Sequence, residues 1–343
     1  MGIKVLQPGM LATIQDLGRY GLQKFGVIVG GAMDSISLRI ANLLVGNSEG
    51  EGALEVTLYG TTLLFETDEL IAITGGNLQP TIDGIEAPMW RPLFIQKGSV
   101  LKFNTAISGC RAYVSFSGGI QVPKVMSSKS TYIRAGIGGF QGRKLLKNDV
   151  FELDRRSDLG EDLFKQLKKE PTYLSWSADY TPFVTFKKTQ TIRFIRGSEY
   201  QHFDEESLKK FLSTPYTITT QSDRMGYRLE GEAIQLKEPF ELLSEGVTFG
   251  TIQVPSNGQP IILMADRQTT GGYPKIAQVI SADLPSLAQM QANGRVYFKE
   301  VTLEEAQLAL IQQERKRNEL AFGLRLKGYR RDRGYSTVQN SII

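Results

Sequence analysis

The chain has very little of two residue types that carry much enzyme chemistry. Cys110 is the only cysteine and His202 the only histidine among its 343 residues. These counts exclude an intrachain disulfide framework, a thiolate metal cluster and a histidine-rich zinc site. Cys110 is interpreted as a small core residue and His202 as a packed or surface histidine. Acid–base chemistry is therefore expected from Asp, Glu, Lys or Tyr, or from another protein.

Long apolar runs and a strong net charge are also missing. No uninterrupted apolar run is long enough to span a bilayer, and the start of the chain, MGIKVLQPGM, has no apolar signal core. The net charge is only +4, which makes nucleic acid a weak hypothesis. The expectation is a reduced, cytoplasmic protein that binds neither membrane nor nucleic acid.

Glycine, in contrast, is abundant. Thirty-five glycines separate short apolar segments such as Leu70–Ile73, Ala112–Phe116 and Ile192–Ile195. This pattern predicts a mainly β protein in which many short strands are joined by tight turns. The length exceeds what one hydrophobic core usually serves, so two domains are expected.

Helices are predicted to be few. The capping and periodicity signals place them at Ser35–Val45 with Asp34 as N-cap, after Asp204, at Pro285–Gln291, and from the capping box at Thr302 to about Ala321. The polar segment 154–190 is interpreted as a connection between domains 1–153 and 191–322, and the basic tail 323–343 is expected to be flexible.

Three motifs occur twice, in the same order, which indicates a duplicated domain. The pairs are Thr13–Gly21 with Thr220–Arg228, Glu55–Thr61 with Glu245–Thr251, and Ile71–Gly76 with Ile262–Gly272. Equivalent loops of a duplicated domain can face one cleft, where ligand sites often form.

The most polar of these repeats, Ser222–Leu229, sets Asp223, Arg224 and Arg228 around a glycine. Arginine is suited to bidentate capture of carboxylate or phosphate. In the equivalent first-half loop Arg19 is the expected ligand contact. The alternative is a β-turn in which Asp223 only orients Arg224.

A second polar cluster begins at Glu245, continues through Gln253, and ends in the loop Thr270–Lys275. The backbone of Gly271 and Gly272 could form an anion-binding nest, and Lys275 could meet an anion as a point charge. The alternative is an ordinary hairpin tip with a solvated lysine.

Several of these motifs resemble one family. They are TIQDLGRYG from Thr13, GAMD from Gly31, LEVTLYG from Leu54, SDRMGYRL from Ser222, LSEGVTFGTIQVPSNGQPI from Leu243 and TTGGYPKIAQVISAD from Thr269. The family is that of the 5-oxoprolinase C subunit, also described as allophanate hydrolase subunit 2 or the biotin-dependent carboxyltransferase domain, and it includes a bacilli-type antagonist of a sporulation-kinase inhibitor. The resemblance implies two tandem cyclophilin-like β-barrel domains with a few short helices.

The chain departs from the family pattern at one turn. Where the family usually has Gly-Ser-Arg-Ser-Thr, the chain has Ser127–Thr131 with Lys129 in place of arginine. Because lysine cannot replace a bidentate arginine, an anion contact at this turn is in doubt. The following residues, Tyr132 to Arg134, are interpreted as the continuation of a strand.

The resemblance also implies a function. Together with a cyclophilin-like B subunit and an A subunit, such proteins open 5-oxo-L-proline to L-glutamate at the expense of ATP, with Mg²⁺ that the partner could hold. One alternative is a non-catalytic protein that sequesters a histidine-kinase inhibitor. A weaker alternative is a biotin-dependent carboxyltransferase or allophanate hydrolase subunit, which would need a separate carrier because the chain has no Ala-Met-Lys-Met motif.

The enzyme hypothesis assigns roles to the polar clusters. Asp223, Arg224 and Lys275 are predicted to be catalytic, and no residue is predicted to bind a metal. The residues predicted to bind substrate or phosphate are Arg19, Arg228, Glu245, Gln253, Thr270, Gly271, Gly272 and Tyr273.

Overall fold

A computed structural model describes residues 2–169, 173–238 and 242–332. It confirms the mainly β fold class. The five α-helices of the described residues are α1 Ser35–Leu44, α2 Asp158–Lys169, α3 Glu205–Ser213, α4 Leu284–Ala288 and α5 Leu303–Asp332. None of these helices is both long and apolar enough to cross a bilayer.

The strands of the first half form two antiparallel sheets. They are β1 Ile3–Pro8, β2 Leu11–Gln15, β3 Ala53–Thr57, β4 Thr61–Phe65, β5 Glu69–Asn77, β6 Pro80–Ile82, β7 Ile85–Glu86, β8 Pro92–Ile95, β9 Val100–Phe103, β10 Ser108–Phe116 and β11 Val150–Phe151. Their orders are β11-β1-β4-β9-β6-β7 and β2-β3-β10-β5-β8. Both sheets bury apolar side chains in one core, where Phe65 of one sheet meets Phe116 of the other at a centroid distance of 6.3 Å.

The strands of the second half are β12 Thr189–Arg196, β13 Tyr216–Ile218, β14 Gly226–Glu230, β15 Glu245–Gly246, β16 Thr251–Gln253, β17 Ile261–Leu263, β18 Thr270–Gly271, β19 Lys275–Val279 and β20 Arg295–Glu300. Seven of them close into a barrel in the order β12-β19-β16-β17-β14-β13-β20, and β15 pairs with β18 outside it. Helix α3 packs against this barrel through Phe211, which stacks on Phe298 at 4.5 Å. Ring stacking and the burial of apolar side chains stabilise the packing inside the barrel.

The predicted helix starts are confirmed. Asp34 accepts a hydrogen bond from the Ser37 amide (3.0 Å), and Asp204 does the same for Ser207 (2.9 Å). At the start of α5 the Thr302 hydroxyl accepts from the Glu305 amide (3.2 Å) and the Glu305 carboxylate accepts from the Thr302 amide (2.8 Å), which is the expected capping box.

The segment interpreted as a connection packs against the first half of the chain. Helix α2 lies within it, and Tyr180 stacks on Trp90 at 4.9 Å. Leu320 and Leu324 of α5 pack against the same apolar cluster. Helix α5 therefore continues past the predicted end at Ala321, because its later turns still bury apolar surface. The domain boundaries stay a prediction, and residues 333–343 of the basic tail lie outside the described residues.

Candidate functional site

An open cleft of about 890 Å³ lies on the barrel of the second half, beside the first-half turn that carries Arg134. Four of the residues predicted from the sequence line it: Asp223, Arg228, Gln253 and Tyr273. Strand β14 carries Arg228, and the turn before β14 carries Asp223. The cleft therefore unites residues from both polar clusters, although Arg228 and Gln253 are 25 positions apart along the chain.

Asp223 stabilises the turn that leads into β14. Its Oδ1 accepts hydrogen bonds from the backbone amides of Met225 (2.8 Å) and Gly226 (3.2 Å). Its Oδ2 lies 4.0 Å from Arg134 Nη2, and both side chains are more than half exposed. Local bonding of this kind is the usual turn role of aspartate, and one carboxylate oxygen remains accessible from the cleft.

Arg224 points away from the cleft into the body of the protein. Its guanidinium donates to both carboxylate oxygens of Asp266 (2.9 and 3.0 Å), to the carbonyl of Gly31 (2.6 Å), and to the carboxylate of Glu55. Burial would raise the pKa of Glu55, but Arg224 and Arg111 outweigh burial and the pKa lies below its usual range. Arg224 is thus a buried ionic bridge between the two halves.

Further buried polar contacts extend this bridge into a seam between the halves. Arg111 Nη1 donates to the Tyr227 hydroxyl (2.8 Å), and Gln289 Oε1 accepts from the Arg111 amide (3.1 Å). Gln289 Nε2 donates to Asp34 Oδ2 (2.8 Å), although burial still raises the pKa of Asp34. Cys110 is buried in the same seam, 3.4 Å from two backbone carbonyls. These contacts fix the relative position of the two halves.

Arg19 is buried on the first-half side of the same seam. Its guanidinium donates to the carbonyls of Val125 (3.3 Å) and Ser130, and its Nη1 has no hydrogen-bond partner in the described part of the chain. Burial lowers the pKa of Arg19, against the opposing charges of Asp16 and Asp266. Since the side chain is only 1% exposed, Arg19 is enclosed in the protein and does not line the cleft.

The remaining predicted residues lie next to the cleft floor. Lys275 is buried and its ammonium is paired with Glu245, with Glu199 at 3.7 Å. Residues Thr270 and Gly271 form the short strand that pairs with Glu245 and Gly246. Gln253 Nε2 occupies the space that a Cβ would need at Gly271, so any side chain there would displace the Gln253 amide.

Tyr273 and Gly272 lie at the end of the same loop. Tyr273 is 49% exposed, and its carbonyl accepts a hydrogen bond from Gln253 Nε2 (3.2 Å). The nearest atom to a Cβ at Gly272 would be the Ser244 hydroxyl oxygen at 3.3 Å. This loop therefore contributes the aromatic side chain of Tyr273 to the cleft, and its backbone carbonyl holds the Gln253 amide.

Arg267 is the first of two cleft residues that were not predicted from the sequence, and its hydrogen bonds are weak. Arg267 lines the cleft and is 7% exposed, yet its hydrogen bonds to the carbonyls of Val247 (3.5 Å) and Met264 (3.4 Å) are long. Burial lowers its pKa to about 10, against the charges of Tyr20 and Asp266. Its position in the Asp266–Lys275 stretch was the available signal, but a sequence does not show how well an arginine is paired.

Arg134 is the second missed residue, and the prediction that it continues a strand is wrong. Ile133–Ala135 is a single 3-10 turn, closed by Gly136 in the left-handed region (φ 67°). The turn lets Arg134 reach the cleft from the first half. A strand would have required Gly136 to adopt extended backbone.

The turn that departs from the family pattern serves the first half. Lys129 is buried and donates to Glu51 (2.6 Å), to Asp154 (3.2 Å) and to the carbonyl of Ile120 (2.8 Å). These three acceptors satisfy all three N–H donors of its ammonium group. The turn is therefore a structural anchor for the first half.

The chain is similar to known proteins over most of its length. Residues 25–300 match the family model "Carboxyltransferase domain, subdomain A and B". The 5-oxoprolinase C subunit of Escherichia coli is 40% identical over 94% of this chain and 98% of its own length. The 5-oxoprolinase C subunit of Haemophilus influenzae is 39% identical over 89% of this chain and 93% of its own length.

A solved structure extends the similarity to larger proteins. The urea amidolyase of K. lactis superposes with a TM-score of 0.83 at 28% identity over 92% of this chain, which spans only 20% of that protein. The match of the family model and the two bacterial relatives over nearly their whole lengths lead to one conclusion. The chain belongs to the carboxyltransferase domain family, subdomains A and B.

Proposed function

We propose that the chain is the C subunit of an ATP-dependent 5-oxoprolinase that converts 5-oxo-L-proline to L-glutamate. The two bacterial 5-oxoprolinase C subunits support this proposal, because the chain covers 98% and 93% of their lengths at about 40% identity. Their names as subunits support an assembly of several chains. An A subunit and a cyclophilin-like B subunit are the proposed partners.

The observation that carries the proposal is the set of arginines around the cleft. Arg134, Arg228 and Arg267 line it. Arg267 is the most informative, because a buried guanidinium with two long hydrogen bonds gains most when an anion completes its contacts. Asp223 and Glu230 are the acidic residues of the lining, so the arginines outnumber them.

Both proposed ligands fit this donor set. 5-Oxoproline carries a carboxylate and ATP carries phosphates, and guanidinium groups bind both kinds of anion. The lining also contains Gln253 and Gln268, whose amides can donate to a lactam oxygen or accept from a lactam nitrogen. ATP would supply the phosphoryl group that activates the lactam, with Mg²⁺ from a partner protein.

The residues of this chain would act by position and charge. A lactam nitrogen is a poor leaving group, so ring opening needs stabilisation of the negative charge that develops on the carbonyl side. Arg228 and Arg267 would hold that charge, and Asp223 would keep the β14 turn in place. Arg19, Arg224 and Lys275, which are all buried, would act as positioning residues that hold the surrounding structure in place.

The first test is reconstitution. ATP hydrolysis is measured with and without 5-oxoproline for this chain alone, for its mixture with the B subunit, and for its mixture with both the A and the B subunits. The proposal requires hydrolysis that depends on 5-oxoproline and on all three chains. A complex that forms without consuming ATP would contradict it and favour sequestration of the partner. Turnover that depends on a biotinylated carrier would contradict it in favour of carboxyl transfer.

The cleft assignment has its own test within the active complex. Arg228→Ala and Arg267→Lys are expected to lower kcat/KM at least about tenfold, because each removes a planar bidentate donor. The matched control is Arg295→Ala, which removes an exposed strand arginine that does not line the cleft. If both cleft variants keep full turnover, as the control is expected to do, the cleft is not the site.

A further inference from the structure

Helix α5 carries apolar side chains on two opposite faces. Its inner face packs on the protein through Leu320 and Leu324. Arg317 on the same face is 7% exposed and pairs with Glu49 and Glu314, and Gln313 donates to the carbonyl of Ala282 (3.2 Å). The helix is therefore attached to the body along one side.

The opposite side carries what we call the outer stripe. It consists of Leu308, Ile311, Arg315, Glu319, Phe322 and Leu326. At about 100° of rotation per residue these six positions fall within an arc of about 80°, on the side away from the inner face. The apolar members are 55%, 64%, 64% and 45% exposed in chain order. Scattered exposed apolar residues are ordinary, but an aligned row with two apolar residues on each side of a central ion pair is typical of a contact surface.

The spacing of the residues along the outer stripe is nearly the same when it is read from either end of the helix. Counted from position 317, its members lie at −9, −6, −2, +2, +5 and +9. Two copies in antiparallel alignment would therefore set Leu308 against Leu326 and Ile311 against Phe322, at both ends of the contact. The stripe spans about 27 Å of helix, at a rise of about 1.5 Å per residue.

The charges at the centre of the stripe follow the same symmetry. Arg315 and Glu319 pair within one copy at 3.2 Å, with side chains 80% and 49% exposed. In the antiparallel alignment, Arg315 of each copy would lie opposite Glu319 of the other. A twofold interface requires such self-complementarity, since each contact occurs twice. Opposite charges meet only in the antiparallel alignment, which makes a second copy the occupant that the stripe fits.

We propose that the outer stripe is the interface of a homodimer in which two α5 helices pack antiparallel. The proposal does not depend on the enzymatic function, since the stripe contributes no residue to the cleft. A single helix pair is a small interface, so the dimer is expected to dissociate on dilution at about micromolar concentration.

The first experiment is sedimentation velocity of the full chain over about a hundredfold range of concentration. The wild type is expected to shift from monomer to dimer within that range. Ile311→Glu is expected to raise the dissociation constant at least about tenfold, because it places two carboxylates in the apolar contact. The control is Gln307→Glu, which adds the same charge to an exposed position of α5 outside the stripe.

A charge exchange tests the antiparallel alignment itself. Arg315→Glu alone and Glu319→Arg alone each place like charges opposite one another, and each variant is expected to remain monomeric. An equal mixture of the two is expected to form a heterodimer, because each glutamate then lies opposite an arginine. Unchanged thermal unfolding of each variant would show that α5 remains folded on the body.

Three results would overturn the proposal. They are a wild type that stays monomeric at every concentration, a dimer that Ile311→Glu weakens no more than Gln307→Glu does, and a mixture of the charge variants that gains no dimer over either variant alone. The first two reject a second copy as the occupant of the outer stripe, and the third rejects the antiparallel alignment.

Discussion

The two copies of the repeated motifs differ most in exposure. Asp16 and Glu55 of the first half have buried side chains, and Glu55 is 1% exposed. Their counterparts in the second half, Asp223 and Glu245, have side chains 58% and 56% exposed. The first-half carboxylates hold backbone amides, hydroxyls and Arg224, whereas the second-half carboxylates lie at or near the open cleft. The repeated motifs place carboxylates at corresponding positions, and packing buries the first-half set and leaves the second-half set accessible.

The arginines of the same motifs do not follow this division. Arg19 and Arg224 are both buried, and both lie near Asp266. The accessible arginine of the second motif is instead Arg228, four positions later. The two arginines do not occupy equivalent positions, because with Asp16 aligned to Asp223, Arg19 aligns with Gly226 and Arg224 with Leu17. The buried arginine of each half therefore comes from a different place in its motif.

The largest expected difference in the free energy of unfolding is between variants of Arg224 and Arg228, the two arginines of the second motif. Arg224→Ala should lower the free energy of unfolding by about 3–5 kcal/mol, because it leaves Glu55 and Asp266 buried without their cation. Arg228→Ala should change it by about 0.5 kcal/mol or less, since Arg228 is exposed. Urea unfolding of both variants checks the difference, and equal stability of the two would show that Arg224 is no bridge.

A smaller effect should separate the two aspartates. Asp16 accepts from the hydroxyls of Ser128 (2.7 Å) and Ser130 (2.5 Å) and from the Lys129 amide (2.6 Å). Asp16→Asn sets an amide donor against another donor and should cost about 1–3 kcal/mol.

Asp223→Asn is the matched change in the second half. It keeps the oxygen that accepts from the Met225 amide, so it should cost about 0.5 kcal/mol or less. Thermal unfolding compares the two variants. The comparison fails if Asp223→Asn proves the more damaging change.

The smallest effect concerns the pH dependence of stability. The folded pKa of Glu55 lies below its usual 4.5, since Arg224 and Arg111 outweigh burial. A lowered carboxyl pKa contributes stability that is complete above the unfolded pKa and is lost as the pH falls through the folded pKa. Asp34 in the same seam acts in the opposite sense, because burial raises its pKa.

The measurement is thermal unfolding between about pH 7 and about pH 3. Glu55→Gln should lower the melting temperature at neutral pH and flatten its fall below about pH 4.5, because the variant loses the titrating group and keeps Asp34. The matched control is Glu86→Gln, which removes an exposed carboxylate of β7. A Glu55→Gln profile as steep as that of the wild type would place the acid sensitivity elsewhere.

Much of the fold was predictable because its signals are local. The capping residues Asp34, Asp204 and Thr302 marked helix starts that the structure confirms. The family was predictable as well, since its motifs are long and continuous. The end of α5 was not, because the packing of Leu324 on a distant apolar cluster keeps the helix intact beyond Ala321.

The residues of the candidate site also divide into those that were predictable from the sequence and those that were not. Asp223, Arg228, Gln253 and Tyr273 were predicted from residue type and lie on one cleft. Arg267 and Arg134 were missed. Arg267 stands out only because its hydrogen bonds are long, and Arg134 only because a turn carries it across from the first half.

By itself, the sequence determined the class of fold, the helix starts and the family, because glycine spacing, capping and continuous motifs are properties of neighbouring residues. Only the tertiary structure decided which charged residues face the cleft and which are enclosed. Burial, ion pairing and pKa depend on groups far apart in the chain, such as Arg224 with Glu55. Two arginines four positions apart therefore have different roles: Arg224 joins the two halves, and Arg228 lines the cleft.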